Sequence, residues 1–138
     1  MRQALPARSL LNLLEKFEAE AGEGPPVCVA VVNASGELAA FLSMDGTPDR
    51  VVAIAQNKAY TAMRMESSTK AFRERLLCEQ ISVTDFCDAS FTSLEGGVPL
   101  LGAQGRCIGG LGVSGRKTIE DHNLAVRLAD MLQVELAG

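Results

Sequence analysis

The feature that most constrains this chain is a glycine-rich stretch near its end, over residues 95–115, which holds eight of the thirteen glycines. Two short apolar runs, 98–101 and 107–113, alternate with these glycines. Short apolar runs bounded by glycine are typical of strands joined by tight turns. Glycine also lets a second backbone or a ligand approach closely. The stretch therefore predicts a hairpin that borders either a closely packed helix or a ligand pocket.

Length and charge exclude several classes of protein. A chain of 138 residues without a linker is expected to form one domain, residues 1–138. The net charge of −4 and the absence of a Lys/Arg run argue against a nucleic-acid binder. No apolar stretch is long enough to span a membrane, and charges interrupt the N-terminal region before it can form a secretory signal. We therefore expect a cytoplasmic protein.

The four cysteines, Cys28, Cys78, Cys87 and Cys107, do not form a Cys-x-x-Cys pair. With a single histidine in the chain, a zinc site is not expected, and without a secretory signal disulfides are not expected either. The cysteines are interpreted as small buried hydrophobic residues. The alternative is a redox-active or ligand-binding thiol.

Apolar periodicity, capping residues and turn residues give the order of the predicted elements. Helices are predicted over residues 9–21, 48–65 and 69–80, and from residue 118 onward. Strands are predicted over residues 27–32, 37–44, 91–94, 98–101 and 106–114, with a turn at 103–105. Residues 81–90 are expected to be irregular or a short helical turn. This order predicts an α+β fold with an antiparallel sheet of about five strands, the terminal helices covering one face.

Three helix starts carry recognisable caps. Thr47 is a predicted N-cap with Pro48 in the first helical position. Ser67 or Ser68 is predicted to cap the next helix. Thr118 is predicted to cap the last helix, with Asp121 three residues later in a position resembling a capping box.

Several phrases together resemble the GlcG/HbpS-like family, which includes haem-degrading and haem-binding proteins and the C-terminal domain of PduO adenosyltransferases. They are Met-Asp-Gly at 44–46, Ala55, Lys-Ala-Tyr-Thr-Ala at 58–62, Gly-Gly-Val-Pro at 96–99, Gly-Gly-Leu-Gly-Val-Ser-Gly at 109–115, and Asp121. The resemblance covers nearly the whole chain. It implies a profilin-like three-layer α-β-α fold with a five-stranded antiparallel sheet, and homo-oligomers from dimers to octamers. It also implies haem as the cofactor, a corrinoid as the alternative, and a dehydratase-type or microcompartment enzyme as a partner.

The candidate binding site lies where the glycine-rich hairpin meets the last helix. Free N–H groups at a helix N-terminus, together with nearby cations, suit a carboxylate or phosphate. The predicted cofactor-binding residues are Lys58, Gly112, Ser114, Gly115, Asp121 and His122. The structural alternative is that the glycines only permit close packing, that Lys58 directs its ammonium to solvent past a buried stem, and that His122 faces solvent.

His122 is the predicted metal ligand, because it is the only histidine and an imidazole is a common axial ligand of haem. The positive end of the helix dipole disfavours its protonated form, so a neutral imidazole is expected. Domains of the PduO type that bind haem carry a histidine on the first helix, and this chain does not.

The function predicted from the sequence is a small-ligand-binding accessory protein linked to diol, glycerol or glycolate utilisation. Its ligand would be haem, a corrinoid or a small anionic metabolite. A second hypothesis is an oligomeric assembly or interaction protein without a small ligand. A third is an enzyme acting on haem or a corrinoid, although no nucleophile–base arrangement identifies catalytic residues.

Overall fold

The computed structural model describes residues 5–137, so the first four residues and Gly138 lie outside the described part of the chain. Helix α1, Ala7–Ala21, leads into strands β1, Cys28–Asn33, and β2, Leu38–Ser43. Helices α2, Arg50–Met65, and α3, Thr69–Glu79, follow, and then a short 3-10 turn, Val83–Phe86. Strands β3, Gly97–Leu101, and β4, Cys107–Ser114, flank a 3-10 turn, Ala103–Gly105, and helix α4, Thr118–Ala137, ends the fold.

The four strands form one antiparallel sheet in the order β2-β1-β4-β3. Strand β1 lies in the middle, which explains why its run of valines is buried on both faces. One face of the sheet packs against α1 and α4, around core residues such as Phe17, Leu111 and Leu128. The other face carries α2. The result is the three-layer α+β arrangement that the sequence predicts.

Helix α2 lies so close to the sheet that only glycine fits beneath it. A Cβ atom on Gly110 would collide with the carbonyl oxygen of Ala59, and one on Gly112 with that of Ala55. A Cβ on Gly97 would collide with the carbonyl oxygen of Lys58. The antiparallel pairing of β3 with β4 confirms the predicted hairpin. At these three positions its glycines permit direct contact between the helix backbone and the sheet backbone.

The prediction of five strands is wrong, because residues 91–94 do not join the sheet. The Thr92 N–H donates to Oγ1 of Thr61 on α2, over 3.0 Å, instead of to a neighbouring strand. The Phe91 ring packs edge-on against Tyr60 and Phe72, with ring centroids 6.0 and 5.9 Å apart. These contacts draw the segment across α2, and strand pairing begins only at Gly97.

Two of the three predicted helix caps are also wrong. Helix α2 begins at Arg50 with Asp49 in the capping position, because the Thr47 hydroxyl donates to the carbonyl oxygen of Met44 within the preceding turn. Thr118 is the first residue of α4 and not its cap, and Glu120 accepts from the N–H of Lys117. The Ser68 cap of α3 is confirmed, since its hydroxyl accepts from the N–H of Ala71.

Candidate functional site

A buried ion pair joins α2 to the start of α4. Nζ of Lys58 lies 3.1 Å from Oδ2 of Asp121, and the two side chains are only 1% and 2% exposed. Nζ also donates to the carbonyl oxygen of Val113 on β4, over 2.9 Å. Lys58 therefore connects three elements, α2, β4 and α4.

Burial shifts the pKa values of the two members of this pair in opposite directions. Removal from water lowers the pKa of the Lys58 ammonium, and the nearby Asp121 carboxylate opposes that shift. Burial likewise raises the pKa of Asp121, and Lys58 opposes it. Each group thus favours the charged form of its partner, and removal of one leaves the other buried without a counter-ion.

Asp121 also fixes the loop that precedes its own helix. Its Oδ1 accepts from the N–H of Arg116 over 3.1 Å, and it accepts a further hydrogen bond from the N–H of Gly115. Gly115 has φ of +141°, a backbone conformation that favours glycine. The carboxylate predicted to bind a ligand therefore already accepts hydrogen bonds from the loop and from Lys58.

The other predicted site residues lie on β4 and in the loop that follows it. Gly112 lies under α2, in contact with the backbone of Ala55. Ser114 is buried at the end of β4, where it pairs with Cys28. Arg116 points away from the site, since its guanidinium donates to the carbonyl oxygens of Ala21, Gly22 and Pro25 at the end of α1.

His122 lies one residue beyond Asp121 and is half-buried. Its Nδ1 atom is buried and has no hydrogen-bond partner among residues 5–137. Burial lowers the pKa of His122 from its usual 6.5, and the positive charge of Lys70 lowers it further. The imidazole is therefore neutral at physiological pH, as the sequence predicts, and a neutral imidazole can act as a metal ligand.

Glu95 was missed by the sequence analysis, although it directly precedes the Gly96–Gly97 pair. Its Oε1 atom is the other buried side-chain nitrogen or oxygen without a hydrogen-bond partner in the described part of the chain. Its negative charge acts on three cations or potential cations, Lys58, Lys70 and His122. An unsatisfied buried polar atom costs about 1–3 kcal/mol, so two of them in one region call for an explanation.

Helices α3 and α4 both carry exposed apolar side chains. Lys70, Glu74 and Leu77 share one face of α3, because they are spaced by four and three residues. Leu77 is 67% exposed, and Lys70 forms an ion pair with Glu74. Ile119, three residues before His122 on α4, is 45% exposed. The charges of Lys70 and Glu74 act on His122, which indicates that α3 lies near the start of α4. We refer to Lys70, Leu77, Ile119 and His122 together as the α3–α4 surface.

Three cavities formed by described residues lie away from His122. The largest, about 360 Å³, is lined by Leu101, Gln133 and Leu136 among others. A second, about 270 Å³, lies between β2 and α2 at Leu38, Asn57 and Tyr60, and a third, about 240 Å³, adjoins Met63 and Cys107. His122 does not line any of these three cavities.

The chemistry of the donor set fits a haem better than a metal ion alone. Within residues 5–137, no group of three or more His, Cys, Asp or Glu side chains could hold a metal ion. A haem needs only one axial donor from the protein, because its porphyrin supplies the other iron ligands. The half-buried imidazole of His122 could supply one such donor through Nε2, since Nδ1 is buried.

The cysteines differ in their surroundings. Cys28 is buried, Cys107 is half-buried, and Cys78 and Cys87 are exposed. Burial raises the pKa of the Cys28 thiol to about 11. The interpretation of the cysteines as small buried hydrophobic residues is thus correct for Cys28 and wrong for Cys78 and Cys87.

Comparison with known proteins agrees with this architecture. The family model described as haem degrading protein HbpS-like matches residues 5–130. Protein GlcG of Escherichia coli is 38% identical over 89 residues, which is 64% of this chain and 63% of GlcG. The aligned region thus spans about 63% of the length of the curated relatives that the chain matches. None of the helices in the described part is long and apolar enough to cross a bilayer.

Several solved structures share the fold of this chain. A Streptomyces reticuli HbpS double mutant superposes with a TM-score of 0.83 at 27% identity, over 96% of this chain and 89% of that one. The crystal structure of a PduOC:heme complex superposes with a TM-score of 0.81 at 24% identity, over 94% of this chain and 95% of that one. The fold and the family model together define the class, and the chain belongs to the HbpS-like family.

Proposed function

We propose that this protein is a haem-binding accessory protein in which His122 supplies the axial nitrogen. The observation that carries this proposal is the neutral, half-buried imidazole of His122 near the start of α4, whose Nδ1 is buried and whose Nε2 would be the nitrogen that ligates iron. Membership of the HbpS-like family supports haem as the ligand. His122 is also the only histidine in the chain, so no second imidazole competes for the role.

The α3–α4 surface suits the remaining parts of a haem. The exposed side chains of Leu77 and Ile119 would contact the apolar porphyrin ring. The ammonium of Lys70 would attract a propionate, although it now pairs with Glu74 over 3.0 Å. When bound, haem supplies an iron centre able to take part in redox and oxygen chemistry, while the protein supplies the axial ligand and the surface.

The remaining predicted site residues hold His122 in place in this proposal. The ion pair between Lys58 and Asp121, with the hydrogen bond from Lys58 to Val113, holds the first turn of α4 against α2 and β4. Gly115 and Ser114 shape the end of β4 that leads into that turn, and Gly112 lets α2 approach the strand. These five residues would set the position of the imidazole without touching the haem.

Titration with hemin tests the proposal. A saturable, shifted Soret band in the parent protein that is lost or altered in His122→Ala would establish haem binding with His122 as the axial ligand. The matched control is Asn123→Ala, an exposed neighbour on the same helix that should leave the spectrum unchanged. A saturable band identical in parent and His122→Ala would overturn the axial role. The absence of a saturable band would overturn haem binding, and hydroxocobalamin titrated in the same way then tests the corrinoid alternative.

The second candidate function is assembly without a small ligand. Strand β2 lies at the edge of the sheet, carries no charged residue and exposes Leu38 and Leu42. Exposed apolar edge strands are prone to pair with another chain, which favours self-association into dimers or larger homo-oligomers.

For either candidate function we place the protein in the cytoplasm, beside a dehydratase-type or microcompartment enzyme of diol, glycerol or glycolate utilisation.

Thermal shift separates the two candidates. A ligand that binds only the folded state raises the melting temperature, whereas an assembly protein without a ligand shows no such shift. A rise in melting temperature with hemin in the parent, reduced in His122→Ala, therefore favours the haem-binding candidate.

A further inference from the structure

The cavity between β2 and α2 is lined by polar side chains that the proposed haem site does not use. It has a volume of about 270 Å³. The hairpin of β1 and β2 contributes Gly36 and Leu38, α2 contributes Gln56, Asn57 and Tyr60, and Ser90 comes from the segment that follows α3. Pockets for drug-sized ligands measure about 300–1,000 Å³, so a ligand of this cavity would be smaller than such molecules.

One carboxylate holds two of the residues that line the cavity. The Tyr60 hydroxyl donates to Oδ2 of Asp88 over 2.6 Å, and the Ser90 N–H donates to Oδ1 of the same residue over 3.0 Å. The Tyr60 ring also packs edge-on against Phe91, and a Cβ on Gly36 would come within 3.0 Å of that ring. These contacts order one wall of the cavity without a ligand, which reduces the entropic cost of binding.

The side-chain amides of Gln56 and Asn57 do not contribute to holding the fold together. Both side chains are half-buried, and neither amide forms a hydrogen bond within residues 5–137. They lie on the same side of α2 as Tyr60, because they precede it by four and three residues. The hydroxyl of Ser90 likewise has no hydrogen-bond partner in the described part of the chain. Three groups that can each donate and accept hydrogen bonds therefore line one small cavity.

The lining of the cavity favours a neutral ligand. None of the described residues that line it is charged, and a charged ligand there would lose part of its hydration without gaining a counter-ion. The carboxylate of Asp88 already accepts from Tyr60 and Ser90. Hydroxyl groups on a ligand donate and accept, as amide and serine side chains do. Leu38, which is 51% exposed, provides an apolar contact for the carbon skeleton.

We infer that this cavity is a second binding site, for a small neutral polyol or monosaccharide whose hydroxyl groups form hydrogen bonds with Gln56, Asn57 and Ser90. Asp88 is a positioning residue of this site, since it acts through Tyr60 and Ser90. The inference goes beyond the proposed haem function and does not depend on it, because His122 does not line the cavity.

NMR spectroscopy of the intact, ¹⁵N-labelled protein tests the inference. Glycerol, sorbitol and glucose are titrated separately, with sodium acetate and ammonium chloride as charged probes. We expect saturable shifts of the side-chain NH₂ signals of Gln56 and Asn57 with at least one of the three neutral compounds. The dissociation constant should be on the order of 1 mM, as suits a ligand with few non-hydrogen atoms.

The double variant Gln56→Leu/Asn57→Leu removes both amides with little change in size. Because neither amide bonds to the protein, the double variant should melt near the parent and bind the polyol about tenfold or more weakly. Its binding is followed through the backbone signal of Ser90. Asn123→Leu makes the same change at an exposed position on α4 and is the matched control. Ser90→Ala, which removes only a hydroxyl, is the second test should the double variant not fold.

The outcomes separate this site from non-specific effects of polyols. Saturable shifts at the lining residues that weaken in the double variant and persist in Asn123→Leu support the inference. The absence of a saturable shift with all three neutral compounds would overturn it, as would equal affinity in the parent and in the variants that lack the amides or the hydroxyl. Saturable binding of acetate or ammonium at the same residues would refute the neutral class of ligand.

Discussion

Nζ of Lys58 lies 3.1 Å from Oδ2 of Asp121, across 63 residues of sequence, in a part of the protein where both side chains are almost fully buried. This pair holds the first turn of α4 against α2 and β4. It thereby sets the position of His122, the next residue on α4. The pair is the structural basis of the candidate site.

Removal of one partner of this pair should destabilise the protein strongly. Lys58→Met leaves the Asp121 carboxylate buried without a counter-ion, and such changes cost about 3–5 kcal/mol. Urea unfolding of the parent, of Lys58→Met and of the double variant with Asp121→Leu measures the coupling between the two residues. We expect the double variant to be more stable than Lys58→Met. Equal stability of the parent and Lys58→Met would refute a structural role for the ion pair.

The close contact between α2 and the sheet predicts a sharp contrast between two glycines. Gly110→Ala places a methyl group against the carbonyl oxygen of Ala59 and should cost several kcal/mol, on the order of other overpacked core variants or more. Gly105→Ala is the control, since Gly105 has open space around it and φ of +72°. It should cost only about 1–2 kcal/mol, from backbone strain. Thermal unfolding of both variants makes the comparison, and a Gly110→Ala variant as stable as Gly105→Ala would contradict the contact.

His122 should make the stability of the protein depend on pH. Burial lowers its pKa in the folded state below the usual 6.5, so the folded protein binds this proton less readily than the unfolded chain. The contribution of the neutral His122 to the free energy of unfolding is therefore fully present above pH 6.5. It is lost as pH falls through the lower, folded-state pKa. Melting temperatures of the parent and His122→Gln between pH 7.5 and 5 test this. The parent should lose more stability than the variant, and parallel curves would show that His122 does not contribute.

The thiols should react in the order of their exposure. Cys78 and Cys87 are exposed, so both should be labelled quickly by a thiol reagent at pH 7.5. Cys107 is half-buried and its pKa is raised by burial, so it should react more slowly. Cys28, with a pKa of about 11, should react only after unfolding. Mass spectrometry of peptides after timed labelling gives the order, and early modification of Cys28 would contradict its burial.

Local patterns predicted most of the fold correctly. Residues 27–32 and 98–101 are apolar and bounded by turn residues, and both form strands close to the predicted bounds. The predictions failed where tertiary contacts override local preference. Residues 91–94 have the composition of a strand, but the aromatic contacts of Phe91 and the hydrogen bond from Thr92 to Thr61 hold them on α2.

The candidate site was only partly predictable for a similar reason. The sequence places Asp121 and His122 next to each other at a helix start, and it marks Lys58 as a residue at the edge of an apolar stripe. It cannot show that Lys58 and Asp121 meet, because their contact depends on how α2 crosses the sheet. Glu95 carries no local signal beyond its place before Gly96, and its importance follows only from burial of Oε1 in the folded chain.

The contact of α2 with Gly97, Gly110 and Gly112 has a consequence for how this fold can respond to a ligand. At these positions the backbone of α2 contacts the backbone of the sheet directly. No side chain lies between them that could change its rotamer when a ligand binds. Helix α2 and the sheet must therefore move as one body. Structural adjustment to a ligand is therefore easier in residues 80–95, which contact α2 through side chains such as Tyr60, Thr61 and Phe91.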